Sequence, residues 1–412
     1  MANPITGATL GELLKRLYSP EEIQMLIQLS STVLAKCCRR GNAALGGSGF
    51  IFPVRTRSAH GHAYISESQA LPDPGQTTVL QAVVLPAVNV GVVKITGLAR
   101  AISGSNAAAF AQGFEEQTTA TLESMTWYDE TAFFRDGSGI ITQFNGAVAT
   151  SAGPHTVDDT AHLRPGMKLD LIDNTAFTRH NEDIVVQDVD WVNKTVTFET
   201  SVAAAVDDND RLYLAGSQDA TGSPVTREPL GLGASLASSG VYLGIDRGTV
   251  REWQARTLTV SSFLDEEFIQ RGRTYITQIT GIPLSGISSM FALLTHPNVA
   301  ESLFQLVIPR MQYTSGGTFD LLNSSEVKLG NMPIITSPNC PATKAYLGDW
   351  KYSQDLFVPG GELKMDEEHG SSVLKHVPNT DQGLVYMRSY HQFVNKKPQC
   401  FVVYDSITEM DR

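Results

Sequence analysis

The 412-residue sequence is poor in cysteine. Its four cysteines, Cys37, Cys38, Cys340 and Cys400, form no C-x-x-C pair and no dense framework of the kind found in small secreted domains. We therefore expect reduced thiols and an intracellular origin.

The sequence also lacks a long apolar segment. Its most apolar run, residues 79–93, is interrupted by Gln81, Pro86 and Asn89. The run is shorter than the roughly 20 residues that a membrane-spanning helix needs, and the N-terminus has no apolar signal core. We expect no role in a membrane.

Basic residues are too few for a dedicated nucleic-acid-binding protein. The chain has 31 Lys and Arg against 43 Asp and Glu, which gives a net charge of −12. A protein that binds nucleic acid over most of its surface normally shows a basic balance. Any contact with nucleic acid must therefore be local.

The strong signatures of catalysis and of cofactor binding are missing as well, including G-x-x-x-x-G-K-[ST], G-x-G-x-x-G, H-E-x-x-H and G-x-S-x-G. Gly46-Gly-Ser-Gly49 lacks the lysine of a phosphate loop, and His60-Gly-His62 has no Cys or carboxylate at ligand spacing. Glu115, Glu116 and Glu123 fit a solvated helix face better than an acid–base pair. We expect no catalytic residue, no cofactor and no metal ion.

The strongest positive signal is a long helix over residues 103–135. Ser105 or Asn106 could cap its start, and Asp136-Gly-Ser-Gly139 would end it. At about 1.5 Å per residue the helix would be on the order of 45 Å long, which makes it the spine of the molecule. Its apolar face is predicted from steps of three or four between Phe110, Phe114, Leu122, Met125, Tyr128 and Ala132.

Residues 1–49 are predicted to form an arm with two short helices. Residues 1–60 contain seven Lys or Arg and three Glu, the reverse of the balance in the whole chain. A basic arm on an acidic protein favours contact with a polyanion or an acidic neighbour. The same residues would also fit the solvated face of two ordinary helices.

Residues 50–95 have the composition of strands. Phe50-Ile-Phe-Pro-Val54 and residues 79–95 are rich in β-formers, and Leu71-Pro-Asp-Pro-Gly75 between them favours a turn. The pattern predicts one long hairpin. A two-stranded hairpin is only marginally stable alone, so it needs another surface, which in an assembly can belong to a neighbouring subunit.

Residues 140–216 read as a small all-β insertion, a barrel or a sandwich. Alternating segments occupy residues 167–172, 184–191, 195–199 and 211–214, and Val192-Asn-Lys194 supplies a hairpin turn. The expected core comprises Leu169, Leu171, Val185, Val189, Trp191, Val196, Phe198 and Leu212. The insertion has twelve acidic and five basic residues, so we expect an acidic module that faces solvent.

The remaining segments predict a linker, an α/β unit and a return. Residues 217–262 are Gly/Ser-rich around residues 230–240 and then strand-like over 249–260. Residues 263–355 predict a helix to residue 280, a strand at 290–294, a helix at 299–307 and strands at 332–336 and 344–348. Residues 356–412 end in two strands, 384–393 and 399–404, expected to lie beside the spine helix.

This order of elements resembles the major capsid proteins of tailed bacteriophages, which have the Hong Kong 97-like fold. The stretches that support the resemblance are Val88-Asn-Val-Gly-Val-Val-Lys-Ile-Thr-Gly97 before the spine, His296-Pro-Asn-Val299 at the start of a helix, and Leu329-Gly-Asn-Met-Pro-Ile-Ile-Thr-Ser337 followed by Tyr346-Leu-Gly-Asp349. The resemblance spans nearly the whole chain except residues 140–216.

The resemblance implies an α+β capsid subunit. Its parts would be an N-terminal arm (1–49), an extended β-hairpin loop (50–100), a peripheral domain with the spine helix (101–139), the insertion domain (140–216), a linker with a peripheral strand (217–262), an axial domain (263–355) and a C-terminal return to the peripheral domain (356–412).

The resemblance also implies partners. Copies would form the hexamers and pentamers of an icosahedral head around double-stranded DNA, together with scaffolding, portal and decoration proteins. The protein would be part of the virion, assembled in the cytoplasm of a host bacterium. Contact between subunits would involve Phe50, Phe52, Val79, Val83 and Val84, and interior contact with the polyanion would involve Lys15, Arg16, Lys36, Arg39 and Arg40.

Two other classes stay open. The shell of a cargo-enclosing nanocompartment of the encapsulin type shares this fold and would hold a cargo protein instead of DNA. A β-rich hydrolase would need polar groups clustered in a cleft.

Overall fold

The structure is a computed structural model that describes residues 32–42, 45–46, 49–57, 59–67, 69–96, 107–146, 151–202, 206–219, 222–225, 227–281, 290–307, 328–329, 332–365, 375–376 and 382–408. The helices in these residues are α1 (Thr32–Cys37), α2 (Ala107–Phe134), α3 (Leu232–Ser235), α4 (Glu266–Thr280) and α5 (Pro297–Val307). Short 3₁₀ helices occupy Arg251–Trp253, Trp350–Tyr352 and Pro398–Cys400.

The strands before the barrel are β1 (Arg39–Asn42), β2 (Leu45–Gly46), β3 (Gly49–Arg57), β4 (Thr78–Val84) and β5 (Ala87–Thr96). Those of the insertion are β6 (Ile140–Gln143), β7 (His155–Thr156), β8 (Lys168–Ile172), β9 (Arg179–Asp190), β10 (Thr195–Phe198) and β11 (Arg211–Leu214). The rest are β12 (Val241–Tyr242), β13 (Ile245–Asp246), β14 (Arg256–Thr259), β15 (Phe291–Thr295), β16 (Lys328–Leu329), β17 (Met332–Thr336), β18 (Ala345–Asp349), β19 (Ser353–Phe357), β20 (Lys364–Met365), β21 (Lys375–His376), β22 (Gln382–Asn395) and β23 (Phe401–Asp405).

The predicted long helix is confirmed as α2, which has 28 residues and is therefore about 42 Å long. The proposed caps, Ser105 and Asn106, lie outside the described residues. Leu122 and Met125 are buried on its predicted apolar face. Near its C-terminal end burial extends beyond that face, because Thr131, Phe133 and Phe134 are buried as well.

The first sheet is organised on β22, a strand of 14 residues. One edge of β22 pairs with β5, and the other pairs in turn with β19, β20 and β21, while β1 lies parallel to β19. Strand β5 packs on α2 at Gly91, where an added Cβ would lie 2.5 Å from the sulfur of Met125. This glycine therefore allows the close approach of strand and helix.

The second sheet has the order β14-β23-β18-β15-β17-β16 and forms an α/β unit with α4 and α5. Strands β14 and β23 of this sheet lie outside the predicted range 263–355. Local signals define α4 closely: Asp265 caps its start by accepting from the Phe268 amide at 3.0 Å, and Gly281 ends it with φ 65°.

The final strand corrects one prediction. Only β22 lies in the sheet that packs on α2, whereas β23 inserts between β14 and β18 of the second sheet. The side chains of Phe401, Val402, Val403 and Tyr404 are all buried, so this strand is apolar on both faces. This composition is typical of a central strand that is covered on both faces. It does not fit an edge strand beside the spine helix.

The predicted hairpin is shorter than expected. Strands β3 and β4 pair antiparallel, with Phe50 opposite Val84. The chain then breaks at Leu85 and Pro86, after which β5 pairs with β22. Proline has no amide hydrogen and interrupts a ladder, so the prediction of one continuous second strand over residues 79–95 is wrong.

The turn of this hairpin also lies elsewhere than predicted. The Gln69 amide donates to the carbonyl of Ser66 at 3.1 Å, at the end of the loop. Behind it the chain segments run side by side, so that a Cβ on Gly61 would meet the Gly75 nitrogen at 2.8 Å. The register that β3 and β4 set continues through this contact, and it puts the tip at residues 66–69 instead of 71–75.

The insertion is a closed barrel. Its strands follow the order β6-β11-β8-β9-β10-β7, and a bridge between Phe144 and Val157 joins the two ends. Two predicted core residues are wrong: Trp191 is exposed in the turn after β9, and Val185 is only half-buried between Ile184 and Val186. The register of β9 shifts against both β8 and β10, which reverses the alternation at Val185.

The glycine-rich segment 230–240 is not the predicted linker. Leu232 and Leu236 are buried with Phe133 and Phe134 of α2. A Cβ on Gly231 would lie 2.3 Å from the carbonyl oxygen of Ala132, so only glycine fits this contact. Small residues here permit close packing against the helix end.

Candidate assembly surface

The inner face of the hairpin packs on its own chain. Phe50 is paired with Val84, and both side chains are buried. Phe52 and Val54 are half-buried on the same face. The cluster beneath them consists of Tyr242, Leu243, Ile245, Trp253, Leu356 and Val394. Phe50 and Val84, which the sequence assigned to contact between subunits, therefore bury their apolar surface within one subunit.

The outer face of the hairpin carries exposed apolar side chains between Gln81 and Arg55. Ile51 lies opposite Val83, and Arg55 lies opposite Val79. Ile51, Val79 and Val83 are 41%, 52% and 44% exposed. Side chains alternate between the two faces of a strand, so the residues named from the sequence divide by face, and only Val79 and Val83 point away from the subunit.

A second apolar surface follows directly along the chain. Val88, Val90 and Val92 on β5 are each about half exposed, and we call them the valine stripe. Across the ladder, Val88 faces Tyr390 and Val92 faces Tyr386 on β22. Sequence reasoning missed this stripe, although the spacing of two between the valines was a signal for it.

The loop beyond the hairpin strands is the most exposed part of the molecule that the structure describes. Tyr64 is fully exposed and Leu71 is exposed over most of its surface. His60 and His62 are exposed, with ring centroids 6.3 Å apart. This loop exposes large apolar side chains at the end of a projecting hairpin, a distribution typical of a contact with another molecule.

The basic residues assigned to a polyanion lie partly in the described chain. Lys15 and Arg16 are outside it, whereas Lys36, Arg39 and Arg40 are exposed. Arg39 and Arg40 border a cleft of about 650 Å³ that three carboxylates, Asp129, Asp355 and Glu362, also line. The acidic groups offset the positive charge of the two arginines at this place.

A buried ionic group lies at the wall of this cleft. The Nδ1 atom of His391 is 3.0 Å from Oδ1 of Asp355, and its Nε2 atom is 3.5 Å from Oδ1 of Asp129. Asn89 donates to the same oxygen of Asp129 at 2.8 Å. Burial alone would lower the pKa of His391, but the two carboxylates outweigh it and raise that pKa to about 10.

This group ties several elements of the fold together. His391 is buried, and its partners bring together β22, β19, α2 and β5. No sequence pattern predicted this group, because its residues are far apart in the chain. Among the described residues no cluster of His, Cys, Asp or Glu is arranged to hold a metal ion, and no helix there is long and apolar enough to cross a membrane. The four cysteines are free and buried.

Comparison with known proteins gives structural similarities at low sequence identity. No family model and no curated protein matches the chain. The chain is similar to a chain of the cyanophage A-1(L) capsid asymmetric unit, with 11% identity, a TM-score of 0.56, and 92% of this chain and 93% of that chain covered. Further similarities are to the capsid of a native GTA particle (9% identity, TM-score 0.49, 92% and 91% covered) and to the SrpI encapsulin complex of Synechococcus elongatus (11%, 0.46, 92% and 89%).

Proposed function

We propose that this chain, which has the fold of a phage capsid protein, is the shell-forming subunit of a tailed double-stranded DNA phage. Copies would associate into the hexamers and pentamers of an icosahedral head and would act by geometry, without catalysis. The observation that carries the proposal is the outer face of the hairpin, where Ile51, Val79 and Val83 on a projecting element stay about half exposed against the described part of the chain.

The energetic case rests on Ile51, Val79 and Val83. Complete burial of an exposed aliphatic side chain contributes about 1.5–3 kcal/mol, and these three are about half exposed. Cover by a neighbouring subunit would therefore supply on the order of 2–4 kcal/mol per contact. A small term repeated around every hexamer and pentamer favours closed shells over free subunits.

The same proposal assigns the remaining surfaces. The acidic barrel would face outward and the basic arm, with Lys15, Arg16, Lys36, Arg39 and Arg40, would face the packaged DNA. A scaffolding protein, a portal and a decoration protein would be the further partners in a virion assembled in the host bacterial cytoplasm.

Electron microscopy of the purified assembly tests this function. We expect closed icosahedral particles that protect DNA from nuclease when isolated from infected cells. Particles that contain a specific protein cargo and no DNA would favour the nanocompartment, and a chain that stays monomeric at high concentration would contradict both.

A further inference from the structure

Three lysines lie together where the two sheets meet, and we call them the lysine patch: Lys351, Lys396 and Lys397. The Nζ atoms of Lys351 and Lys397 lie 4.7 and 4.8 Å from the centroid of the same Tyr352 ring. Lys396 extends towards the base of the hairpin, where its Nζ lies 5.8 Å from the centroid of Phe52.

The backbone holds the patch in place. The Lys396 amide donates to the carbonyl of Tyr352 at 3.0 Å, and the Lys397 amide donates to Oδ1 of the buried Asn395 at 3.1 Å. Lys351 and Tyr352 belong to one 3₁₀ helix, and Lys397 immediately precedes another. The positions of the three lysines are therefore set by packed structure and not by a flexible loop.

The patch is short of counter-charge. Lys351 forms an ion pair with Asp349 at 2.7 Å. Lys396 and Lys397 form no ion pair with any carboxylate in the described part of the chain. Partial burial lowers the pKa of Lys396. On a chain with a net charge of −12, Lys396 and Lys397 therefore add positive charge locally.

Two of the three ammonium groups, those of Lys351 and Lys397, lie close together. Two ammonium groups this close to one ring centroid are at most about 10 Å apart, comparable to the Debye length of about 8–10 Å near physiological salt. An anion at the patch would therefore meet the charge of Lys397 together with that of Lys351, which Asp349 partly offsets. Lysine presents a compact, strongly hydrated charge without the planar fork of arginine. Such a charge suits contact with backbone phosphates regardless of the base sequence.

We propose that the lysine patch binds the phosphate backbone of double-stranded nucleic acid. This inference deepens the proposed function, on which it rests for the source of the nucleic acid, and it puts a polyanion contact where sequence reasoning had none. The rings of Tyr352 and Phe52 are engaged by ammonium groups, so they position the charges and do not stack on bases.

The test is a charge-removing pair in the full chain, Lys396→Gln with Lys397→Gln. The control pair, Lys168→Gln with Lys194→Gln, removes the same charge from exposed positions on the barrel. The probe is a fluorescent 24-base-pair duplex of random sequence, titrated by anisotropy between 50 and 200 mM salt. Each phosphate contact contributes about 0.9 to the slope of log K against log salt. The patch variant should lose about 2 from that slope and about tenfold or more in affinity at 50 mM salt, while the control stays close to the parent chain.

Two further measurements distinguish the alternative explanations. Lys396→Arg with Lys397→Arg keeps the charges and should retain the slope. Equal losses in the patch and control variants would overturn the inference, because they would report total charge alone. A polyglutamate peptide that binds as tightly as the duplex and loses affinity in the same variant would also overturn it, in favour of an acidic protein partner.

The outcome is independent of shell formation. Circular dichroism and thermal melting check that each variant is folded. Closed shells together with unchanged duplex binding by the patch variant would reject this inference and leave the proposed function intact. A parent chain that forms no shells would reject the proposed function, whatever the duplex titration gives.

Discussion

His391 and Asp355 form a buried pair in which Nδ1 of the imidazole lies 3.0 Å from Oδ1 of the carboxylate. The pair joins β22 to β19, and the second carboxylate, Asp129, adds α2. The first sheet and the long helix are therefore connected by charge as well as by apolar packing.

This connection predicts a dependence of stability on pH. The pKa of His391 is raised to about 10 in the folded chain, above about 6.5 for an unperturbed histidine. Its contribution is complete below about pH 6.5 and is lost as the pH rises towards 10. Between pH 6.5 and 8.5 the free energy of unfolding should fall by up to about 1.4 kcal/mol per pH unit from this group. Urea denaturation of the parent chain and of His391→Gln at pH 6.5, 7.5 and 8.5 measures the difference, and parallel pH curves would contradict it.

The contact between Gly231 and the end of α2 predicts a large effect of one methyl group. In Gly231→Ala the new Cβ would meet three backbone carbonyl oxygens, those of Ala132, Phe133 and Arg135, at 2.3 to 2.5 Å. Backbone cannot move aside as a flexible side chain can, so we expect a loss of about 1–3 kcal/mol or more in unfolding free energy. Gly41→Ala is the matched control, because its Cβ would meet only a Leu356 methyl at 3.5 Å. Equal melting temperatures for the two variants would refute the close contact.

The closed barrel predicts an independently folding fragment. Residues 140–216 supply their own core, including Leu169, Leu171 and Phe198, and Tyr128 of α2 is the one apolar side chain outside the insertion that packs against that core in the described chain. A fragment of residues 140–216 should melt cooperatively, with only modest stability for its size. Leu171→Asp should abolish the transition. A disordered circular dichroism spectrum of the unsubstituted fragment would show that the barrel depends on α2.

The opposite charges of arm and barrel predict their orientation in a particle. Packaged DNA repels an acidic lining, so the barrel should face outward. Lys194 lies exposed in the turn between β9 and β10, and trypsin should cut intact particles there before it cuts at Lys15 or Arg16. Earlier cleavage within the arm would indicate the reverse orientation.

Sequence reasoning succeeded where the signal is local. The helix α4 follows from its cap Asp265 and its terminal Gly281, and the turn predicted at Val192-Asn-Lys194 lies within the barrel turn at residues 191–194. Patterns within one element need no knowledge of what covers it.

The predictions that were wrong depend on contacts with residues that are distant in the sequence. Alternation separates Phe50 from Ile51, but Tyr242 and Trp253, about 200 residues away, decide which of the two is buried. Strand β5 pairs with β22 across nearly 300 residues, and a pattern of β-formers cannot reveal that choice. The glycine-rich composition near residue 231 is typical of a linker. These glycines instead allow close packing against the end of α2, and only the three-dimensional position of α2 reveals that contact.

The hairpin's role between subunits can be tested by shortening it. Arg57 pairs with Thr78, so residues 58–77 can be replaced by Asn-Gly, a two-residue turn that suits this register. The inner face, with Phe50 and Val84, stays buried in its own subunit. A matched control, Trp191→Ser with Val192→Ser, removes exposed apolar side chains from the barrel turn instead.

Electron microscopy of particles assembled from the shortened chain is the direct measurement. We expect a soluble subunit with the helix content of the parent, and no closed shells, because each copy has lost the exposed loop that carries Tyr64 and Leu71 at the end of its hairpin. The control variant should form shells like those of the parent. Normal closed particles from the shortened chain would contradict the role of the hairpin as a contact between subunits.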